Sequence, residues 1–418
     1  MSSIVKTLLT RVALVLLSVI FSLTIAELIL RVLSVESTVT IGHHKLFCEY
    51  DPLLGWKNKK NTSGWHVTPE YKILESFNSK GIRGPEYSYE KTEDEFRIFI
   101  LGDSFAEGYT VEFEELFSEV LKRKLNESGD QYYQVINSGT GGYSTDQELL
   151  LFQTEGSKYN PDLTILMFYQ NDVWYNNQAR YWRGYKPFFE LENGELVLTN
   201  FPVPEPDMDQ GQNQDLTSEK KVLGKVRSWL GERSYLYQFV ATRIVRTYFL
   251  YKLAMKLGLV EDPEEKIKNN DQIIPIPDEF RIWEKVYNDQ VRDAWRITEA
   301  IITKLQDEST SIGSELLVFH VPSRANIYME EWQATKLKYG ISDDNWNIEQ
   351  VEIELEAVCE KNKVDFFSPT YQMKTEAKKL VSKKQRLYFI SDGHWNSTGH
   401  QFVGEILAEY VTANYLEN

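Results

Sequence analysis

One serine in this sequence follows a short apolar run in a way that suits a nucleophile. Arg97 to Leu101 is rich in β-branched and aromatic residues, and it leads through Gly102 and Asp103 to Ser104. The run predicts a buried strand, so Ser104 should stand just past its carboxyl end. A serine hydroxyl needs a general base, a group that orients the base, and hydrogen-bond donors for an oxyanion. The remaining sequence must supply those three parts.

Residues suited to the oxyanion role follow the next two predicted strands. The Gly141-Gly142 corner comes after Tyr132 to Asn137, and Asn171 comes after Asp162 to Tyr169. Helical patterns separate these strands, which predicts βαβ units and a parallel sheet. The carboxyl ends of parallel strands share one edge, so both groups should lie near the serine.

The base and its orienting group are expected near the end of the chain. Asp392 and His394 precede a predicted helix over Ser397 to Tyr410. His394 would take the proton of the serine hydroxyl, and Asp392 would hold the imidazole in the required tautomer. An Asp-x-His spacing brings both side chains to one side in an extended segment, and a turn would also bring them together.

Four sequence blocks, GDSF, NSGTGG, QND and DGHWN, occur in this order between about Phe96 and Glu409. They resemble the blocks of the SGNH (GDSL-type) serine hydrolases. The resemblance implies that Ser104 is the nucleophile and that Asp392 and His394 complete its triad.

The same resemblance identifies the oxyanion hole. It implies that the Ser104 amide, the Gly142 amide and the Asn171 side chain stabilise the oxyanion. Gly142 is preferred to Gly141 because it lies five residues after Asn137, as in the family's second block. No metal or organic cofactor is expected.

The last block departs from the usual family pattern. Most members separate the aspartate and the histidine by two residues, whereas only Gly393 stands between them here. The shorter form, followed by Trp395, resembles the acetyltransferases of exopolysaccharide pathways and bacterial membrane-anchored SGNH proteins. Two reactions therefore stay open: hydrolysis of acyl esters, with O-acyl groups on carbohydrate as the expected substrates, and acyl transfer to a sugar hydroxyl. A catalytically idle envelope scaffold is a third interpretation.

Arg324 is a further candidate for the site. It follows a predicted fourth strand over Glu315 to Val321, at the same sheet edge. It would contact an anionic or sugar substrate, or else form a surface ion pair.

Two cysteines, Cys48 and Cys359, would be able to pair outside the cytoplasm.

The remaining pattern completes an α/β fold. Helices are predicted over Glu112 to Asn126, after Ser144, over Asp278 to Asp307 and over Asn347 to Lys361, and a short fifth strand over Val364 to Phe367. With the family resemblance, this predicts a three-layer α/β/α sandwich around a mainly parallel five-stranded sheet, the flavodoxin-like SGNH fold.

An insertion over about residues 177–277 interrupts the alternation of strands and helices. Phe188 to Thr199 alternates around Asn193-Gly194, which predicts a β-hairpin. A helical stretch is predicted over Ser218 to Leu259. Such insertions often shape substrate pockets.

The N-terminal residues predict a membrane anchor. Val12 to Leu30 is an apolar run about as long as a bilayer-spanning helix, and Lys6 and Arg11 precede it. Basic residues on that side predict a cytoplasmic N-terminus and an extracytoplasmic catalytic domain, periplasmic in a Gram-negative cell. The alternatives are a cleaved signal peptide, which would release a secreted protein, and a buried helix of a soluble protein.

The predicted domains are therefore an anchor over residues 1–33, a juxtamembrane segment over 34–95 that docks on the catalytic domain, and the hydrolase domain over 96–418. The net charge of −16 argues against nucleic acid and anionic lipid surfaces as partners. The expected partners are a small-molecule or carbohydrate acyl ester and the membrane, through the N-terminal helix. The oligomeric state is left open.

Overall fold

The computed structural model describes residues 3–32, 43–68, 70–127, 131–181, 183–205, 233–237, 239–240 and 275–416. The strands are β1 Cys48–Asp51, β2 Gly55–Asn58, β3 Thr62–Val67, β4 Lys72–Phe77, β5 Glu95–Gly102, β6 Tyr132–Asn137, β7 Leu163–Tyr169, β8 Arg180–Tyr181, β9 Gly184–Tyr185, β10 Phe188–Glu192, β11 Glu195–Thr199, β12 Glu315–Val321 and β13 Asp365–Phe367. The α-helices are α1 Ser3–Val32, α2 His43–Phe47, α3 Ser104–Glu107, α4 Phe117–Leu125, α5 Thr145–Thr154, α6 Asn171–Tyr175, α7 Asp289–Ser311, α8 Arg324–Ile327, α9 Met329–Tyr339, α10 Gln350–Asn362, α11 Thr370–Val381 and α12 Ser397–Val411.

A five-stranded sheet organises the part of the chain that carries the candidate site. Its strand order is β13-β12-β7-β5-β6, and the neighbouring strands run parallel. β5 pairs with both β6 and β7, so the strand before Ser104 lies inside the sheet. Position inside the sheet explains why β5 is a nearly continuous apolar run.

Helices cover both faces of this sheet. Phe99 and Leu101 of β5 pack into one buried apolar cluster with residues of α5, α7 and α10. Ile98 and Ile100 point to the opposite face and pack with residues of α4, α11 and α12. The side chains alternate because successive residues of a strand face opposite sides. The predicted three-layer α/β/α sandwich with a parallel five-stranded sheet is therefore confirmed.

The strands and helices around the site match most of the predicted ranges. β6 and β12 have the predicted bounds, and the hairpin of β10 and β11 turns at Asn193 and Gly194. Ser144 is the N-cap residue of α5, as predicted. The small strands β1–β4 and the helices α8, α9 and α11 were not predicted.

The long helix predicted from Asp278 is present but begins later, at Asp289. The stretch from Asp278 to Asp307 divides into a 3-10 helix, Asp278–Trp283, and the α-helix α7. α7 begins after Asn288, whose side chain accepts a hydrogen bond from the Val291 amide. An asparagine in this position is a strong N-cap signal, so the break was readable from the sequence.

The chain divides into two compact units. One consists of Met1–Ile41, Val67–Pro69 and Asp207–Asn269, and the other of Gly42–His66, Glu70–Pro206 and Asn270–Asn418. The sheet and every candidate site residue belong to the second unit. The predicted domain boundaries stay predictions, and most of the helix predicted over Ser218 to Leu259 lies outside the described residues.

α1 covers the apolar run for which a membrane anchor was predicted. Within the described ranges, no helix is long and apolar enough to cross a membrane. The predicted transmembrane helix is therefore not supported.

Candidate active site

The candidate nucleophile stands where the sheet ends. β5 ends at Gly102, and Ser104 is the first residue of α3. Asp103 caps this helix, with its Oδ1 accepting a hydrogen bond from the Phe105 amide at 2.9 Å. A Cβ atom at Gly102 would lie 2.6 Å from the Ala106 Cβ, so this close turn requires glycine.

A chain of hydrogen bonds joins the three predicted triad residues. The Ser104 Oγ lies 2.7 Å from the His394 Nε2. The His394 Nδ1 lies 2.5 Å from the Asp392 Oδ1. If Nδ1 carries the proton, Nε2 is left as an acceptor for the serine hydroxyl, which is the arrangement that a general base needs.

The aspartate and the histidine come together in a turn. Gly393 between them has a φ of +87°, a value that favours glycine. The Phe389 amide donates to the His394 carbonyl at 2.9 Å, and Tyr388 forms a β-bridge with Trp395. Of the two arrangements open from the sequence, the structure has the turn.

Tyr71 is a contact of the triad that the sequence did not indicate. Its hydroxyl donates a hydrogen bond to the Asp392 Oδ2 at 2.9 Å. Burial on its own would raise the pKa of Asp392, but the hydrogen bonds from His394 and Tyr71 lower it below its usual value. Asp392 is thus held in the ionised form that the triad requires.

The predicted oxyanion residues line the same cavity as the triad. Gly142 and Asn171 both contribute to the wall that contains Ser104 and His394. Asn171 is the first residue of α6, and its Nδ2 lies 3.4 Å from the Asp103 Oδ2. An amide nitrogen has two hydrogens, so this contact leaves one for a substrate oxygen.

A buried carboxylate holds the glycine corner. The Glu107 Oε2 accepts a hydrogen bond from the Gly141 amide at 2.7 Å, one residue before Gly142. A charge-assisted bond of this kind fixes the direction of the adjacent backbone. Glu107 lies at the end of α3, so the nucleophile and the glycine corner are connected through this short helix.

Glu107 belongs to a buried network that also contains histidine. The His43 Nε2 lies 3.0 Å from the Glu75 Oε2 and 3.5 Å from the Glu107 Oε1. Burial lowers the pKa of His43, but the two carboxylates outweigh this effect and raise it above its usual value. Arg83, also buried, donates to the carbonyl groups of Glu107 and Gly108.

The donor atoms of His43, Glu75 and Glu107 lie within 4.8 Å of one another, which is close enough for a shared metal ion. The positive charge of the buried Arg83 lies near the same two carboxylates, so the cluster also has the charges of an ion-pair network. The sequence did not indicate this network, because no spacing pattern connects these residues.

The cavity in front of Ser104 has a volume of about 430 Å³. Its wall combines aromatic side chains with polar ones. The lining residues include Tyr109, Tyr169, Tyr181, Phe280, Trp283, Gln170, Arg183, Ser323, Arg324, Glu331 and Thr335. A wall of this composition suits a ligand with both apolar faces and hydroxyl groups.

Arg324 lines the cavity, but its guanidinium also binds protein groups. It donates to the carbonyls of Phe389, at 3.0 Å, and Ile390, and to the Glu331 carboxylate at 3.1 Å. Its contact with substrate stays a prediction.

His320 is buried and forms a hydrogen bond with Ser368, as expected of a packed core residue.

The sequence left open whether Cys48 and Cys359 form a disulfide. Both cysteines are buried and free in the structure, so they do not pair. Burial raises the pKa of each thiol to about 12, which makes both of them unreactive at neutral pH.

A serine, a histidine and an aspartate joined by hydrogen bonds at the carboxyl edge of a parallel sheet are typical of α/β serine hydrolases. Residues 98–193 match the model of a family described as GDSL-like Lipase/Acylhydrolase. The matched stretch carries Ser104, Gly142 and Asn171 and so resembles the GDSL-type (SGNH) hydrolases, an enzyme class that acts on ester bonds, as the first three sequence blocks predicted.

Solved structures resemble the chain only distantly. Acetyl xylan esterase AlAXEase has a TM-score of 0.38 and 12% identity, covering 76% of this chain and all (100%) of that one. The lipase/acylhydrolase from Enterococcus faecalis has a TM-score of 0.34 and 11% identity, covering 76% and 96%. TesA has a TM-score of 0.36 and 9% identity, covering 76% and 98%. Likenesses this weak carry no information about the substrate. No curated protein matches the chain.

Proposed function

We propose that this protein is a serine esterase that removes acyl groups, and that its natural substrates are O-acyl groups on carbohydrate. The observation that carries the proposal is the hydrogen-bonded chain from the Ser104 hydroxyl through His394 to Asp392. A bond of 2.7 Å between Oγ and Nε2 is within the range needed for proton transfer.

In the proposed reaction, the Ser104 Oγ attacks the ester carbonyl while its proton passes to the His394 Nε2. The Ser104 and Gly142 amides and the Asn171 side chain would then stabilise the negative oxygen of the tetrahedral intermediate. His394 returns the proton to the leaving alcohol, and an acyl-enzyme forms. Water activated by His394 would release the acid and restore Ser104.

The cavity supports a carbohydrate substrate. The aromatic rings of Tyr181, Phe280 and Trp283 offer flat apolar surfaces on which a sugar ring can pack. Gln170 and Thr335 offer hydrogen-bonding groups for hydroxyls on the same wall. The adjacent Arg183 would favour a sugar that carries a negative charge.

The test is turnover of 4-nitrophenyl acetate and of acetylated oligosaccharides by the purified protein. Ser104→Ala should abolish turnover and labelling by a fluorophosphonate probe. Ser391→Ala is a matched control, since it removes an exposed serine hydroxyl from the turn that carries the triad. Wild-type protein that hydrolyses none of these esters and takes up no probe would overturn the proposal.

Acyl transfer is the alternative outcome of the same acyl-enzyme. An oligosaccharide acceptor is added to the assay, and the amounts of acylated sugar and of free acid are measured. The ratio of these two products separates transfer from hydrolysis.

A location outside the cytoplasm, tethered or secreted, stays a prediction from the sequence.

A further inference from the structure

The turn that carries Asp392 and His394 lies outside the sheet. It runs from Tyr388 to Trp395 and is closed by one β-bridge and one backbone hydrogen bond. Ile390, at its outer side, is 67% exposed. The ends of the turn, Tyr388 and Trp395, are buried, so it is the tip around Ile390 that has little packing to fix its position. The triad nevertheless requires His394 to stay aligned with Ser104.

Three consecutive amide groups of this turn point toward one carboxylate. Glu70 accepts hydrogen bonds from the amides of Ile390 at 2.9 Å, Ser391 at 3.0 Å and Asp392 at 2.8 Å. Successive amides that converge in this way form a concave anion-binding site. Here the anion is supplied by a residue that lies 322 positions earlier in the chain than Asp392.

The carbonyl groups of the same turn have a separate cationic partner. The Arg324 guanidinium binds the carbonyls of Phe389 and Ile390. Glu70 therefore holds the N–H side of the turn and Arg324 holds its C=O side. Hydrogen bonds to charged groups are roughly twice as strong as neutral ones, so together the two contacts fix the turn firmly.

Glu70 is not among the residues that line the cavity, and the hydrogen bonds described above join its carboxylate to backbone amides of the turn. We propose that Glu70 is a positioning residue, whose carboxylate holds the Ile390–Asp392 backbone so that Asp392 and His394 stay aligned with Ser104. This inference rests on the proposed esterase function. It makes the segment that precedes the first strand of the sheet a part of the catalytic apparatus.

The first test is Glu70→Gln, which keeps the shape of the side chain but replaces one carboxylate oxygen with an N–H donor. We expect kcat for 4-nitrophenyl acetate to fall by roughly 10–100-fold while KM changes by less than about threefold, because the turn shifts and the cavity does not. The rate of fluorophosphonate labelling should fall in parallel. Glu93→Ala, which removes an exposed glutamate of the same segment, is the control and should leave both rates unchanged.

Chemical rescue provides the second test. In Glu70→Ala the three amides are left without their anion, and added sodium formate should restore at least a fifth of the lost kcat. Sodium chloride at equal ionic strength should not. Rescue would show that the site needs a carboxylate, which a general loss of folding would not produce.

The outcomes separate the two proposals. Wild-type protein that shows neither turnover nor labelling refutes the esterase function itself. Active wild-type protein with Glu70→Gln within twofold of its kcat refutes the positioning role alone. Equal stimulation of Glu70→Ala and Glu93→Ala by formate would also refute it.

Discussion

The Tyr71 hydroxyl lies 2.9 Å from the Asp392 Oδ2, and the His394 Nδ1 lies 2.5 Å from the other oxygen of the same carboxylate. The candidate orienting residue is thus hydrogen-bonded on both sides. One of these partners lies within the triad, and the other comes from the segment before the sheet. Both donors stabilise the ionised carboxylate and so keep it available to orient the imidazole.

Removing the Tyr71 hydroxyl should weaken this arrangement in a pH-dependent way. Tyr71→Phe takes away one of the hydrogen bonds that lower the pKa of Asp392, so that pKa should rise. Because activity needs ionised Asp392, the ratio of Tyr71→Phe to wild-type kcat/KM should decrease as the pH is lowered. At the pH optimum, kcat should fall by roughly tenfold.

The control for this experiment is Tyr132→Phe, which removes the hydroxyl of an exposed tyrosine. Its pH profile should match that of the wild type. A ratio of Tyr71→Phe to wild-type kcat/KM that stays the same as the pH is lowered would mean that the Tyr71 contact does not influence the pKa of Asp392.

Asp392→Asn tests the orienting role directly. An asparagine at this position retains the shape of the side chain but favours the wrong imidazole tautomer, so kcat should fall by about 10⁴-fold. The measurement is kcat under saturating 4-nitrophenyl acetate, with circular dichroism to show that the protein is folded. A loss of less than tenfold would remove Asp392 from the triad.

Asn171→Ala tests the oxyanion hole. Loss of one donor should lower kcat by about 10²–10³-fold with little change in KM, because the interaction forms only in the transition state. Gln170→Ala is a demanding control, since Gln170 is the adjacent residue and lines the same cavity. If both variants lose kcat to the same extent, Asn171 has no special part in stabilising the oxyanion.

The sheet and the polar strand ends were predictable from local sequence. Strands such as β6 and β12 are bounded apolar runs, and the residues that follow parallel strands must meet at one edge. This topological rule placed Ser104, Asn171 and Gly142 around one cavity without any knowledge of their distances. His394 belongs to the same edge because the last helix packs against the sheet.

The supporting contacts were not predictable, because they join residues that are far apart in sequence and follow no motif. Glu70 binds the turn before α12, and His43 binds Glu75 and Glu107. An isolated glutamate in a loop is ordinarily a solvated surface residue. Only the folded arrangement shows that these side chains are held by buried or converging hydrogen-bond partners.

A buried acid beneath the site gives the last prediction, which concerns stability rather than catalysis. Glu148 of α5 is fully buried, and neither of its carboxylate oxygens has a hydrogen-bond partner among the described residues. Burial raises the pKa of Glu148 well above its usual value, and the nearby acids Asp103 and Asp146 raise it further. The folded protein therefore keeps a proton on Glu148 at pH values where the unfolded chain has released it.

The sign of the pH dependence of stability follows from the coupling between proton binding and folding. The folded state binds more protons than the unfolded state between the usual glutamate pKa, about 4.3, and the raised pKa of Glu148, so stability falls as pH rises through that window. The slope from this one group is at most about 1.4 kcal/mol per pH unit. Glu148→Gln cannot ionise, and its unfolding free energy should lose this dependence.

The measurement is urea unfolding of the wild type and of Glu148→Gln between pH 5 and pH 8, assay conditions chosen to span that window. It gives the unfolding free energy of each protein at each pH. The difference in unfolding free energy, Glu148→Gln minus wild type, should increase with pH. If burying the side-chain amide of Glu148→Gln lowers the unfolding free energy by the same amount at every pH, the plot of unfolding free energy against pH is displaced without a change in slope. Parallel curves for the two proteins would show that Glu148 is ionised in the folded state or titrates as it does in the unfolded chain.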